Sequence, residues 1–297
     1  MQSIVSYPDR GQYGNNRYRG NCSGRIIEDI IEQYNIRQLS DFMVGGGTTE
    51  DVVRAKGLEG CFADLNRGYD MMSMDIPERS ENIFWHPPYG SMIQYSDNMY
   101  RSKDILDKYG IDCKEADLSR CKDWESFIKK LNHCMLKQFE SLDKSGRMFV
   151  LMGDMKKQGR LYSMLCDIVK PGQLEQIIIK AQHNCWSDSQ VYSRQNFVPI
   201  VHEYLMVVKK ESSLIIPVAY GLHKTFNYLE HACCSWRDLI HDLIEHKASE
   251  MSLEELYSEV SKCPKTESNP HWREKVRQVV QNARYFTRTA RGCYALA

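Results

Sequence analysis

Asp41-Phe42-Met43-Val44-Gly45-Gly46-Gly47-Thr48-Thr49 is the stretch on which the fold turns. A short apolar run ends in three glycines, and Val52, Val53 and Ala55 follow at helical spacing, so the segment reads as strand, glycine turn, helix. Glycines at such a turn let the backbone approach a ligand closely, and the helix that follows offers free amides at its start. Turns of this kind occur in many nucleotide and cofactor folds, so this one alone does not name its ligand.

The pattern repeats on either side. Gly60-Cys61-Phe62-Ala63 leads into Asp64, and Asn82-Ile83-Phe84-Trp85 leads into His86, which predicts two more strands ending in polar chemistry. Upstream, a loop from Tyr7 to Cys22 precedes Ile26, Ile27, Ile30 and Ile31, whose spacing predicts an amphipathic helix to about Tyr34. Downstream, Trp124 to Phe139 reads as a helix and Met148 to Met152 as a buried strand stopping at Gly153-Asp154. Leu161 to Val169 is expected to be the helix that follows it. Ile177-Ile178-Ile179 and Tyr204 to Val208 have no long helix between them and predict a late antiparallel pair. The fold class is therefore α/β, with a mostly parallel sheet and an antiparallel last hairpin.

From about Glu211 the composition changes. The reading gives a main domain over 1–210, a linker over 211–235 and a small helical module over 236–297. Helices are expected from Trp236 to His246, Leu253 to Val260 and Pro270 to Ala283. Asn269 is placed to cap the last of these, with Pro270 at its first position and Trp272, Val276, Val280 and Ala283 as its buried stripe. Arg273, Lys275, Arg277, Gln278 and Gln281 lie opposite, and a hairpin with Arg288 and Arg291 near its tip follows. Seven basic residues against two acidic between Lys265 and Arg291 make this the local basic patch.

Bulk properties narrow the classes further. A chain of 297 residues, 42% hydrophobic, can bury one α/β core and a small accessory unit. The formal net charge is zero, so any face for a polyanion must be local. Eleven cysteines are scattered without a Cys-x-x-Cys pair or a Cys/His cluster at zinc-ligand spacing, which predicts free thiols, no metal site and a reducing, cytoplasmic setting. Met1 to Gly20 is polar, unlike a signal peptide, and no apolar run approaches the roughly 20 residues that span a bilayer, so no membrane partner is expected.

The acidic residues give the glycine turn a ligand. Asp64, about twenty residues on, is placed to accept from ribose hydroxyls. Asp75, in Met74-Asp75-Ile76-Pro77, is placed to receive an adenine amino group. Singly each reads as a structural carboxylate; in series they point to an adenosine-containing cofactor. His86-Pro87-Pro88-Tyr89-Gly90 is more specific, because two prolines fix an extended backbone with outward carbonyls. Residue 86 and the Pro87 carbonyl can accept amino hydrogens from a flipped base, and Tyr89 can stack on it.

Over roughly residues 7 to 210 the chain resembles the amino-methyltransferases of DNA. Asp41 to Thr49 is similar to their Asp-Pro-Phe-x-Gly-Ser-Gly-Thr signature, lacking the proline and with Gly46 for serine. Asp64-Leu65-Asn66 resembles their ribose-binding element, and Tyr18-Arg19-Gly20-Asn21-Cys22-Ser23-Gly24 resembles the segment that closes over the methionine part of the cofactor. The resemblance implies a class I, Rossmann-like, seven-stranded mostly parallel sheet and S-adenosylmethionine as cofactor. It implies Tyr18, Gly20, Asn21, Ser23, Asp41, Gly45, Gly46, Gly47, Thr48, Thr49, Asp64, Leu65, Asn66, Asp75 and Ile76 as cofactor residues. His86, Pro87, Pro88 and Tyr89 become the catalytic motif, with residues 1–24 as the closing segment. Asp117-Leu118-Ser119, Gly153-Asp154 and Gln182-His183-Asn184 resemble further pocket segments.

Position 86 is usually Asp or Asn in adenine enzymes and Ser in cytosine enzymes, so His86 leaves the target base open. A neutral imidazole still accepts one hydrogen bond. The last module resembles a winged helix, which implies double-stranded DNA as partner through Arg273, Lys275, Arg277, Gln278, Gln281, Arg288 and Arg291, and leaves room for a restriction endonuclease encoded nearby. Adenine N6 is the favoured target and cytosine N4 the near alternative. RNA or protein-glutamine methylation, and a non-catalytic regulator that binds cofactor and DNA, are the other readings.

Overall fold

The computed structural model describes residues 1–96, 99–100, 102–183, 198–212, 216–219 and 235–297. Contacts divide the chain into two units, Met1–Gly221 and Leu222–Ala297.

In the first unit the strands are β1 (Ile4–Ser6), β2 (Ser80–Trp85), β3 (Leu142–Met152), β4 (Asp154–Lys157), β5 (Arg160–Ser163), β6 (Lys170–Pro171), β7 (Gln173–Ala181), β8 (His202–Lys209) and β9 (Val218–Ala219). Its helices are α1 (Gly24–Tyr34), α2 (Thr48–Ala55), α3 (Ser102–Tyr109), α4 (Cys113–Ala116), α5 (Trp124–Ser141) and α6 (Met164–Asp167).

Met148 to Met152 have no exposed surface at all, so β3 is covered on both faces. Period-two alternation sorts its side chains. Phe149 and Leu151 join Phe84, Leu205, Val207 and Ile178 in a core shared with Ile26, Ile27, Ile30 and Ile31 of α1 and Val52 and Val53 of α2. Met148, Val150 and Met152 join Ile83, Trp85, Met206 and Val208 in a second core, against Phe127, Leu131, Met135 and Phe139 of α5. The register keeps the faces consistent: Phe149 lies between Phe84 and Val207, and Val150 between Trp85 and Met206. The result is a three-layer α/β unit.

The sheet is mixed rather than mostly parallel. Its order is β1-β7-β8-β3-β2, with β1/β7 and β2/β3 parallel and β3/β8 and β7/β8 antiparallel. The described strands number five in this sheet, not the expected seven. The segments around residues 40 and 60 attach only through isolated parallel bridges, Ser40 to Ile83, Gln38 to Glu59 and Asp41 to Phe62. Side chains complete these short pairings: Ser40 Oγ accepts from the Cys61 amide at 3.0 Å and from Ser80 Oγ at 2.7 Å.

Leu161 to Val169 also differs from expectation. After β3 the chain turns into the hairpin β4/β5, and only Met164–Asp167 is helical. Gln158 and Gly159 both hold positive φ, 52° and 79°, as a two-residue hairpin turn requires. The late antiparallel pair is β7 and β8, with Ile178 opposite Leu205 and Lys180 opposite Glu203.

The second unit contains α7 (Trp236–Lys247), β10 (Met251–Ser252), α8 (Leu253–Val260), α9 (Trp272–Val280), β11 (Phe286–Ala290) and β12 (Cys293–Leu296). Its antiparallel sheet runs β10-β12-β11 and closes over Leu239, Ile240, Ile244, Leu256, Val276, Val280 and Phe286. Ser252 and Glu255 form a reciprocal capping box on α8. The last helix begins two residues later than expected. The Asn269 side chain accepts from the His271 amide at 3.0 Å, spending the intended cap on a turn, so Pro270 lies outside the helix. The helix also stops at Val280, which leaves Ala283 exposed, while Trp272, Val276, Val279 and Val280 face the core.

Phe149 sits in the first core with its ring 5.0 Å from that of Tyr34. Phe149→Ala is expected to lower unfolding free energy by about 3–5 kcal/mol in urea titrations, whereas Ile4→Ala, at 62% exposure, should change it by no more than about 0.5 kcal/mol. A loss below about 1 kcal/mol at Phe149 would mean that this face is not packed.

Candidate functional site

The glycine turn is a floor with another segment seated on it. Gly45 and Gly47 take φ of 50° and 85°, in the left-handed region. A Cβ on Gly45 would lie 3.0 Å from the Tyr18 ring, and one on Gly46 would lie 2.9 Å from the Asn21 amide nitrogen. Residues 15–21 therefore close over the turn only because it lacks side chains. The Asn15 amide donates to the Gly46 carbonyl at 2.7 Å, and Asn21 pairs with Thr48 and with the Asn15 carbonyl.

Three buried carboxylates shape the walls. Asp64 accepts from the Gly45 amide at 2.9 Å and the Asn66 amide at 2.8 Å, locking the turn to the start of the next segment. Asp41 accepts from Thr49 Oγ1 at 2.7 Å and the Met43 amide at 2.9 Å. Asp117 takes the amides of Ser96 and Ser119, each at 2.9 Å, and so fixes the loop after the Pro-Pro-Tyr motif. Burial pushes the Asp41 carboxyl up to about 7 despite its hydrogen bonds, and it raises Asp64 as well. Tyr95 stacks between Tyr18 and Tyr100, with ring centroids 5.7 and 6.2 Å away.

These groups line a recess of about 820 Å³ that opens in part to solvent. Tyr18, Gly20, Asn21, Asp41, Gly45, Gly46, Thr48, Thr49, Asp64 and Leu65 line it, as do His86 and Pro88. Gly47 and Asn66 do not; Gly47 caps α2 from beneath, and the Asn66 amide is turned to Asp64. Ser23 caps α1 and reaches the neighbouring cavity instead. Asp75 is exposed and Ile76 packs against the α5-side core, so neither meets the cavity. Asp70, Met71 and Met72 occupy that part of the wall. The turn after Asp64 doubles back, with the Tyr69 amide donating to the Asp64 carbonyl at 3.1 Å, and this brings in residue 70 rather than 75.

A second, larger cleft of about 1980 Å³ lies on the other side of the motif. Pro87, Tyr89, Gly153, Asp154, Gln182 and His183 line it, together with Lys180 and Glu203. Asn184 lies outside the described residues. The two cavities share His86, Gly20, Asn21, Cys22 and Tyr95. Asp154 Oδ1 is buried here with no hydrogen-bond partner among the described residues.

His86 follows the last residue of β2, and its Nε2 lies 2.8 Å from the Tyr89 hydroxyl. That hydroxyl donates to Glu203 Oε1 at 2.7 Å, and Lys180 Nζ donates to Glu203 Oε2 at 2.6 Å. Burial lowers the His86 pKa and raises that of Tyr89. Burial would also raise that of Glu203, but Lys180 and the hydrogen bonds outweigh it and hold the carboxyl below its usual value. Asp117, Leu118 and Asp154 were legible as pocket positions; Lys180 and Glu203 were not. Their only sequence signal is a charge at one end of each late strand, which becomes a pair when those ends meet.

In the second unit Arg273, Lys275, Arg277, Gln278, Gln281, Arg288 and Arg291 are all exposed. Several are partly engaged: Lys275 donates to Gln278 at 2.9 Å, Arg277 lies 3.6 Å from Glu274, and Arg273 stacks on Trp272 and Tyr257. No helix among the described residues is long and apolar enough to cross a membrane, and no two described cysteines are joined in a disulfide. His241, Asp242 and Glu245 lie close enough to hold an ion, but they are on the surface of α7 and far in sequence from both cavities.

The Asp41 shift has a signed consequence. Its folded pKa is about 7 against 3.8 unfolded, so between these values the folded state binds more protons and stability falls as pH rises. Asp64 acts in the same direction. Urea midpoints without added ligand should therefore carry a declining contribution between about pH 4 and pH 7, and Asp41→Asn should remove much of it. An unchanged pH slope in Asp41→Asn would place the titration elsewhere.

No family model matches the sequence, and no curated protein matches it. Solved structures resemble parts of it. TehB from Haemophilus influenzae aligns at 11% identity and TM-score 0.30, over 63% of this chain and 62% of that one. A phosphoethanolamine N-methyltransferase 2 from Haemonchus contortus, in complex with phosphomonomethylethanolamine and S-adenosylhomocysteine, aligns at 10% identity and TM-score 0.28, over 73% and 39%. An S-adenosylmethionine-dependent methyltransferase from Clostridium acetobutylicum ATCC 824 aligns at 9% and 0.24, over 63% and 90%. The chain thus spans less than two thirds of the first two proteins. Likenesses this low leave the site to be read from the chain's own geometry.

Proposed function

We propose that the chain is an S-adenosylmethionine-dependent methyltransferase acting on the exocyclic amino nitrogen of a flipped DNA base, adenine N6 first and cytosine N4 as the near alternative. One observation carries the reading: two cavities meet at a wall built of His86, Gly20, Asn21, Cys22 and Tyr95. One has a glycine cradle and carboxylate walls, and the other is bounded by Pro87 and Tyr89. A donor and an acceptor bound on either side would meet at His86.

The first cavity fits the cofactor. Gly45 and Gly46 present bare backbone to the cavity, and Asp64 and Asp70 supply acceptors for ribose and amino hydrogens. Tyr18, Gly20 and Asn21 would cover the methionine part. The cofactor supplies, when bound, a methyl group on a sulfonium.

The chain's own residues position and polarise. Tyr89 offers a flat face to the base while its hydroxyl is held by Glu203. His86 and the Pro87 carbonyl accept amino hydrogens, drawing the nitrogen lone pair out of the ring and toward the methyl. The amino nitrogen would take the methyl as the carbon–sulfur bond breaks, its electron pair staying on sulfur as a neutral thioether, and would shed one proton to water. No covalent intermediate with the protein is required, and the rate derives from orientation and fixed dipoles.

A DNA partner is supported by the second unit. Its order of helix, strand, two helices and hairpin, with basic side chains on the last helix and near the hairpin tip, supports reading it as a winged helix. Double-stranded DNA would be held by the helix and the wing, phosphates by the arginines and base edges by Gln278 and Gln281.

Incubation with methyl-labelled cofactor and mixed-sequence DNA, followed by digestion and mass spectrometry of nucleosides, is expected to yield N6-methyladenine. N4-methylcytosine would select the alternative, and cofactor binding without any methylated nucleoside would sink the enzyme reading. Tyr89→Ala should abolish turnover while sparing cofactor affinity, and Asp64→Ala should do the reverse, since each residue lines a different cavity. Equal loss of cofactor binding in both would refute that division.

Replacing Arg273, Lys275 and Arg277 together should weaken DNA binding and lower the slope of log affinity against log salt by about 2 to 3. An unchanged slope would move the DNA face elsewhere.

A further inference from the structure

The hydrogen atoms of the His86 cluster can be placed by elimination. A carboxylate only accepts. Glu203 Oε2 takes Lys180 Nζ at 2.6 Å, and Glu203 Oε1 lies 2.7 Å from the Tyr89 oxygen. Two oxygens at that distance repel unless a hydrogen lies between them, so the single phenol proton is committed to Glu203. At the 2.8 Å contact with His86 the Tyr89 oxygen can then only accept, and Nε2 must carry a hydrogen.

The charge count fixes the other nitrogen. The ion pair of Lys180 and Glu203 is already neutral in sum, with side chains 10% and 7% exposed. Glu203 Oε1 is 4.0 Å from Nε2, too far for a direct hydrogen bond, so a second proton on His86 would leave a buried cation with no carboxylate of its own. Cys22, in the same wall, cannot supply that countercharge, because burial pushes its thiol up to about 12. Tyr95, which faces the same wall, is likewise pushed up to about 12 by burial. A neutral imidazole has one N–H, and here it is Nε2–H.

We infer that Glu203 and Lys180 are positioning residues that set the tautomer of His86, so that Nδ1 is the acceptor the ring offers to the target amino group. This rests on the amino-methyltransferase reading for its substrate. It explains how histidine serves where the resembling enzymes carry an oxygen acceptor. The oxygens of Asp, Asn and Ser accept whatever their protons do elsewhere, but a histidine nitrogen accepts only when left bare, so it needs a device that decides which one. The strand register provides it: Lys180 and Glu203 are directly opposed on β7 and β8.

The test uses the full chain with ¹⁵N-labelled histidine and long-range ¹H–¹⁵N correlation near neutral pH, His86 being assigned by its loss in His86→Asn. The Nε2–H pattern is expected in the natural protein, and a shift toward Nδ1–H in Glu203→Gln, whose amide can donate to Tyr89 and turn its proton to the ring. Nδ1–H or imidazolium in the natural protein, or an unchanged pattern in Glu203→Gln, would overturn the inference. Should Glu203→Gln fail to fold, Tyr89→Phe removes the acceptor alone and should erase the Nε2–H preference; an intact preference would count against it.

In turnover, Glu203→Gln should lower kcat about tenfold or more with the cofactor KM within about twofold. In the His86→Asn protein the same change should cost less than about twofold, because an amide oxygen accepts without a tautomer. Equal penalties in both backgrounds would show a structural role only. If the protein methylates no base, the substrate reading falls, while the imidazole spectra still decide the tautomer.

Discussion

The central strands leave no room for polar atoms on either face. From Met148 to Met152 every side chain is sealed between α1 and α2 on one side and α5 on the other, and Ile83 to Trp85 are sealed with them. An unpaired polar group there would cost several kcal/mol. All chemistry is therefore displaced to the strand ends. His86 follows Trp85, Gly153-Asp154 follows Met152, and the antiparallel entry of β8 brings Glu203 to that same edge, one residue before Tyr204 pairs with Met152. Lys180 arrives opposite Glu203. The site is a consequence of where the core stops.

At that edge the structure spends its polar groups on holding one another. Asp64, Asp41 and Asp117 each clamp backbone amides, and what they fix is the path of the glycine turn and of the loop at Tyr95 and Ser96. A buried ion pair such as Lys180 with Glu203 contributes little net stability, since desolvation offsets its attraction. Its value lies in direction. It presents a fixed acceptor to Tyr89, and through Tyr89 to His86, before any ligand arrives. Preorganised dipoles of this kind need no rearrangement at the moment of reaction.

The second unit obeys a different economy. Its core is small, and its helices end in explicit local devices such as the Ser252 and Glu255 box and the Asn269 turn. Its basic side chains are exposed but paired within the helix, Lys275 with Gln278 and Arg277 near Glu274. A polyanion would have to compete with those weak surface contacts, each worth well under about 1 kcal/mol, which is a small barrier to phosphate.

Local chemistry was legible in the sequence because it depends on neighbours in the chain. The glycines at 45–47, the isoleucine stripe of α1, the apolar run of β3 and the Pro-Pro-Tyr turn all declare themselves through spacing and residue type. So did the two late strands, although the second strand of the Gln158-Gly159 hairpin, Arg160–Ser163, overlaps a stretch from Leu161 whose apolar residues also fit a helix. What only the tertiary structure decided is which distant residues meet. Asp70 took the wall position that spacing assigned to Asp75, because the chain doubles back after Asp64. Lys180 and Glu203 became one device with His86 because strand register, a property of the assembled sheet, set them side by side. Sequence determines which groups can donate, accept or bend, while the fold decides which of them share a proton, since hydrogen bonds depend on distances that no linear spacing contains.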